Sequence, residues 1–293
     1  MVTAALVKEL RELTGAGMMD CKKALEATNG DVQAAIKWLQ EKGMASAAKK
    51  AGRIAAEGLA KVAHKDDLAV IYEVNAETDF VAKNESFLDL VDMIGASLLV
   101  YQPANIDEAN ALVIEGKTLA ERIVDATATI GEKISFRRFE LVTKEEDEVF
   151  GSYMHMGGKI AGVAVVKTTD AEVARDMAMQ VVSMNPLYVS QDTMPASVVE
   201  EQTHLQKEIL NNDPVLSQKN EKQQEGIIRG RVSKALQEIS LVDQPYFKDQ
   251  NMKVSQFLKN EKAAVTRFVR YAVGEGIEKR EDDFAAEVAA MAK

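Results

Sequence analysis

Few residues of this chain have the chemistry of catalysis. Asp79 and His155 could serve as an acid–base pair. No nucleophile elbow, metal cluster or cofactor fingerprint accompanies them. Three His residues and one Cys are scattered without metal-ligand spacing. Gly15-Ala16-Gly17 is not a phosphate loop, because it follows a helical pattern and no Gly-Lys-Ser/Thr comes after it. No catalytic residue, metal or cofactor is expected, and the chain is not read as an enzyme.

The informative stretch is Val70 to Ala82. It begins with the β-branched, apolar character of a buried strand, which Asn75, Thr78 and Asp79 interrupt. Phe80 follows at the expected start of a helix. A large aromatic at a strand-to-helix corner, between Asp79 and Lys83, is poorly placed for a core and well placed to enter another protein. Asp79 is expected to cap the helix and so aim the ring. Burial in the core is the competing reading for Phe80.

Composition narrows the classes further. The chain has 293 residues, of which 46% are hydrophobic, enough for two or more domains. A net charge of -10 argues against nucleic-acid binding, which needs concentrated Lys and Arg. The single cysteine, Cys21, excludes a disulfide framework and fits a reducing cytoplasm. Lys8, Glu9, Arg11 and Glu12 interrupt any apolar run near the N-terminus, so no signal peptide is expected. No stretch approaches the ~20 apolar residues that cross a bilayer.

The elements that must position these residues follow from periodicity. Residues 3–43 read as three short helices, with Leu6, Leu10 and Leu13 on one stripe, a third helix capped by Asp31, and Gly43 as its end. This is the pattern of a ubiquitin-associated-type bundle. Residues 44–57 read as a helical connector. A strand is expected at Leu68–Val74 and a helix after Phe80 with Phe87, Val91, Ile94 and Leu98 inward. A second strand, Ile160–Thr168, followed by Thr169-Asp170 and a helix from Ala171, repeats the arrangement, with Ala171 where the first copy has Phe80. Two polar helices flank a sharp turn at Asn211-Asn212-Asp213-Pro214 and should form a protruding antiparallel hairpin. A terminal helix is expected over Phe284–Met291. The fold class is α+β: a three-helix ubiquitin-associated-like bundle, two similar strand–helix subdomains, and the hairpin.

Leu6 to Leu25, with Thr14-Gly15-Ala16-Gly17-Met18-Met19-Asp20-Cys21 at its centre, resembles the N-terminal signature of the bacterial translation elongation factor Ts family. Glu73-Val74-Asn75 and Thr78-Asp79-Phe80-Val81-Ala82 resemble its core signature, and Gly274-Glu275-Gly276 with Phe284-Ala285-Ala286-Glu287-Val288 resemble its end. The resemblance implies a guanine-nucleotide exchange factor for elongation factor Tu, bound to that partner's GDP or nucleotide-free form. It implies that Thr78, Asp79, Phe80 and Val81 meet the partner, with Phe80 wedged near its magnesium site. Met18-Met19, Ile130-Gly131 and His155 match further contacts of the family.

The expected division is 1–54 as an N-terminal helical partner-docking domain and 55–142 as the core subdomain with the Thr-Asp-Phe motif. A second core subdomain covers 143–194 and continues at 241–280, interrupted by a dimerisation-type hairpin at 195–240. A C-terminal helical module occupies 281–293. The hairpin could support a homodimer or a 2:2 complex. Direct contact with nucleic acid or membrane is not expected. Two alternatives stand beside exchange: an adaptor whose ubiquitin-associated-type bundle binds while the body is passive, and an enzyme using Asp79 and His155.

Overall fold

The computed structural model describes residues 2–278. The helix expected over Phe284–Met291, and with it the 281–293 module, lies outside these residues.

The Thr3 hydroxyl caps α1 (Ala4–Thr14), which Gly15 closes in the left-handed region. Helix α2 (Met18–Ala27) follows, and Asp31 caps α3 (Val32–Lys50) by accepting from the Ala34 N–H at 2.9 Å. Val7, Leu10, Cys21, Leu25 and Ala35 form their common core. The expected stripe is displaced, because Val7 is buried and Leu13 is exposed. Gly43 does not end the third helix. A Cβ there would stand 3.0 Å from the Ala128 Cβ, so glycine allows a close helix crossing and α3 runs on to Lys50. Of the expected 44–57 connector, only the part up to Lys50 is helical, and it continues α3.

The first lobe opens with the hairpin β1 (Glu57–Lys65) and β2 (Leu68–Ala76). It continues through α4 (Glu85–Tyr101), α5 (Ile106–Ala111), the short strands β3 (Val113–Ile114) and β4 (Lys117–Thr118), and α6 (Leu119–Ile130). It closes with β5 (Ser135–Thr143), antiparallel to β2. The second lobe repeats this plan. The hairpin β6 (Glu148–His155) and β7 (Ile160–Lys167) leads into α7 (Ala171–Met184). After α8 (Ala196–Asn212), α9 (Glu221–Glu238), β8 (Pro245–Tyr246), β9 (Asp249–Lys253) and α10 (Val254–Asn260), the strand β10 (Ala264–Ala272) returns beside β7. Each sheet therefore has the hairpin's second strand at its centre, in the orders β1-β2-β5 and β10-β7-β6.

Helices α8 and α9 form the hairpin, held by buried Leu210, Val232 and Leu236. The connection is longer than one sharp turn. Asp213 accepts the Val215 and Leu216 N–H groups, a 3-10 turn spans Leu216–Gln218, and Asn220 caps α9.

Alternation along the central strands sets the layers. Val70, Tyr72 and Val74 of β2 pack on Phe87, Val91, Ile94 and Leu98 of α4. Ala69 and Ile71 face the other way and meet Ala161, Val163 and Val165 of β7. From β7, Ala164 and Val166 turn outward onto Val173, Met177 and Val181 of α7. The result is helices, sheet, sheet, helices. Both central strands are covered on two sides, which explains their nearly unbroken apolar runs. The observed class is α+β.

The row of Ala69 and Ile71 continues into Glu73 and Asn75, both fully buried. A register shift in β5 opposite Glu73 and Val74 leaves Arg137 as an extra residue. Arg137 and Arg138 both reach the Glu73 carboxylate, at 3.0 and 2.6 Å. The Gly274 N–H of the second lobe donates to the same carboxylate at 2.8 Å. Gly274 has φ 74 and approaches the Ala56 carbonyl so closely that a Cβ would stand 2.2 Å from its oxygen. One buried carboxylate thus joins the two lobes.

Candidate partner-binding site

Strand β2 ends at Ala76 and α4 starts at Glu85, leaving residues 77–84 to turn the corner. Asn84, not Asp79, caps α4: its side chain accepts from the Phe87 N–H at 3.3 Å. Asp79 is exposed and lies before a short 3-10 turn at Val81–Lys83. That turn closes with the Lys83 N–H donating to the Phe80 carbonyl at 3.2 Å and the Asn84 N–H donating to Val81. The expected capping role of Asp79 is therefore corrected; the turn separates it from the helix it was assigned to.

Phe80 is 81% exposed, and Val81 beside it is 5% exposed and part of the first lobe's core. Val81 thus anchors the turn with a side chain that does not reach the surface. Thr78 is half-buried, and both its N–H and its hydroxyl donate to Glu132, at 2.9 and 2.7 Å. Of the four expected contact residues, Asp79 and Phe80 offer their side chains to solvent.

Ile130 ends α6, and Gly131 follows with φ 90, a left-handed stop suited to glycine. Ile130 is partly packed on the first core. The adjoining Glu132 holds Thr78, and the Lys133 N–H donates to Glu77 at 2.6 Å, so this loop and the Phe80 corner touch directly. On its other side the α6 terminus meets the bundle: a Cβ on Gly15 would stand 3.8 Å from the Thr129 methyl. Met18 and Met19 begin the next helix and are 56% and 63% exposed.

His155 is exposed at the end of β6, between exposed Met154 and Met156. Its turn leans on the first lobe, where the Ala60 N–H donates to the Gly158 carbonyl at 2.8 Å. Lys159 of that turn pairs with Glu57 and lines the same open cleft as Arg53, Ile54, Glu77, Asp79 and Phe80. The structure therefore brings Phe80, Ile130-Gly131 and the turn after His155 to one end of the two sheets. No hydrogen bond joins Asp79 to His155 among the described residues.

Sequence reasoning missed Glu77, Glu132, Arg53 and the exposed Ile54. Their partners are remote in the chain; the one local signal was an acidic residue directly after the Gly131 helix stop. Among the described residues, no cluster of His, Cys, Asp and Glu could hold a metal, and no helix is long and apolar enough to cross a membrane.

The family model described as Elongation factor TS matches residues 77–275, and the one described as UBA/TS-N domain matches residues 3–39. A protein named Elongation factor Ts from Acholeplasma laidlawii (strain PG-8A) is 50% identical over 291 residues, covering 99% of this chain and 98% of the relative. The chain belongs to the elongation factor Ts family.

Proposed function

We propose that this chain is a cytoplasmic guanine-nucleotide exchange factor that promotes GDP release from elongation factor Tu by inserting Phe80 near that GTPase's magnesium site. One observation carries the reading: a ring 81% exposed on a corner anchored by buried Val81. An aromatic side chain has few rotamers to lose and large area to bury, roughly 150–250 Å² for this class. Its insertion between partner side chains displaces a helix and disturbs the magnesium ligands indirectly. His155 and Gly131 brace the other side of the contact. Met18 and Met19 supply apolar docking from the bundle.

The thermodynamics is linkage. A factor that weakens nucleotide binding is itself weakened by nucleotide by the same ratio. No covalent bond changes, so Asp79 and His155 need no acid–base role. The hairpin, with Leu205 and Ile209 exposed, is the proposed surface for a second copy or for the partner's outer domains.

The test is stopped-flow release of fluorescent GDP from elongation factor Tu. Phe80→Ala should cut stimulated release by roughly one and a half to three decades, the effect of removing an aromatic hot spot worth about 2–4 kcal/mol. Its own melting should change by less than ~1 kcal/mol, as for surface substitutions. Unchanged release would overturn the wedge. If Met18→Ser with Met19→Ser then abolished binding, the adaptor reading would replace it.

A further inference from the structure

We propose that Glu132 is the positioning residue for Phe80, acting through Thr78; this deepens the wedge reading and rests on it. The ring is almost wholly solvent-exposed, so its aim depends on the backbone on either side of it. On the C-terminal side, buried Val81 fixes the chain. On the N-terminal side the chain has left β2 and not yet reached the 3-10 turn, so no regular structure holds it. Glu132 supplies the missing hold. One carboxylate oxygen takes the Thr78 N–H at 2.9 Å and the other takes the Thr78 hydroxyl at 2.7 Å. Bonds to an ionised acceptor are shorter and about twice as strong as neutral ones.

The arrangement is reciprocal. Glu77, the neighbour of Thr78, accepts the Lys133 N–H at 2.6 Å, and the Arg53 guanidinium lies 3.3 Å from both Glu77 oxygens. Two irregular loops thus exchange carboxylates, each satisfying the other's backbone. Glu132 also directly follows Gly131, the stop of α6. A push on the Ile130-Gly131 loop is therefore delivered to the residue two positions before the ring. A ring held in its bound direction loses less freedom on insertion, and this is how Glu132 raises the rate of exchange.

Two measurements on the full chain test this. Hydrogen exchange across residues 77–84 should accelerate in Glu132→Ala and in Thr78→Val. Stopped-flow GDP release, followed as a function of factor concentration, should show the maximal rate falling at least about tenfold in Glu132→Ala, the equivalent of one charge-assisted hydrogen bond. Glu132→Gln keeps one acceptor oxygen and should recover part of that loss. The decisive comparison is the double variant. With Phe80→Ala already present, Glu132→Ala should change release by less than about twofold, because coupled residues are not additive. An equal loss with and without Phe80→Ala would overturn the positioning role while leaving the wedge intact. Faster hydrogen exchange with GDP release unaffected by either Phe80→Ala or Glu132→Ala would instead overturn the wedge reading and leave the brace as structure alone. Unchanged hydrogen exchange in Glu132→Ala would overturn the brace itself.

Discussion

The two lobes solve one local problem in different ways. In the second lobe, β7 ends at Lys167, Asp170 accepts the Glu172 N–H at 2.8 Å, and α7 begins at Ala171. In the first, β2 ends at Ala76 and the chain passes through residues 77–83 before Asn84 caps α4. The counterpart of Ala171 is thus Glu85, and the counterpart of Asp170 is Asn84. Phe80 has no equivalent in the second lobe. It is not an aromatic exchanged for alanine on a shared frame, but part of an added segment. The short corner shows what the fold requires, and the long one shows what has been built on top of it. Loops that exceed structural need are where binding residues concentrate.

The comparison breaks first if the lobes are not a single cooperative body. Glu73 ties them, so Glu73→Ala should cost about 3–5 kcal/mol, the effect of stripping one partner from a buried ion pair. Urea denaturation followed by fluorescence and by circular dichroism measures it. Acid gives a milder version. Burial pushes the Glu73 carboxyl up, but hydrogen bonds from the Gly274 N–H, Asn75 and Arg138 outweigh it and hold the group below its ordinary value. A depressed carboxyl stabilises fully above the unfolded value near ~4.3. That stabilisation is lost as pH falls through the lower folded value. Denaturation midpoints across this acid range should fall for the native chain and stay flatter for Glu73→Gln.

The next contrast lies between adjacent residues. Val81→Ala should destabilise the chain by about 2 kcal/mol, because it empties a core site. Phe80→Ala, one position away, should stay below ~1 kcal/mol. Equal losses would make the long corner ordinary core. The smallest contrast concerns the caps. Asn84→Ala and Asp170→Ala should each cost about 1 kcal/mol as N-caps, whereas Asp79→Ala should stay within about 0.5 kcal/mol. Thermal melts of the three variants would reveal a reversed assignment.

The central strands and the helix packed on the first of them were legible in the sequence because their signals are local, whereas β1 and β6 were not read as strands. Phe87, Val91, Ile94 and Leu98 repeat at helical spacing, and β2 and β7 read as apolar runs. The neighbours of Phe80 left exposure and burial both open, and the family resemblance decided between them; the ring is exposed. The cap was not: Asp79 and Asn84 both have capping chemistry, and the intervening 3-10 turn has no period of its own. Gly43 reads as a stop because glycine often is one, yet its packing against Ala128 makes it a crossing point. The brace and the joint were out of reach for another reason. Glu132 and Thr78 are 54 positions apart, and Gly274 and Glu73 are 201. Pairings at such distances leave no repeat in the chain.

The unbroken run of α3 from Val32 to Lys50 gives the bundle a phase as well as a distance. A flexible tether of the same length would let Met18 and Met19 orient independently of Phe80. A helix instead ties their bearing to the core at ~100° per residue, while adding only ~1.5 Å of length. One residue inserted between Leu39 and Gly43 would scarcely move the bundle outward, but it would turn the methionines roughly a quarter of the way around the helix axis. Three further insertions, four in all, would bring them back to within ~40°. The spacing between the two halves of the proposed contact is in this sense an angle, and binding measured against insertion length should rise and fall with the helical repeat.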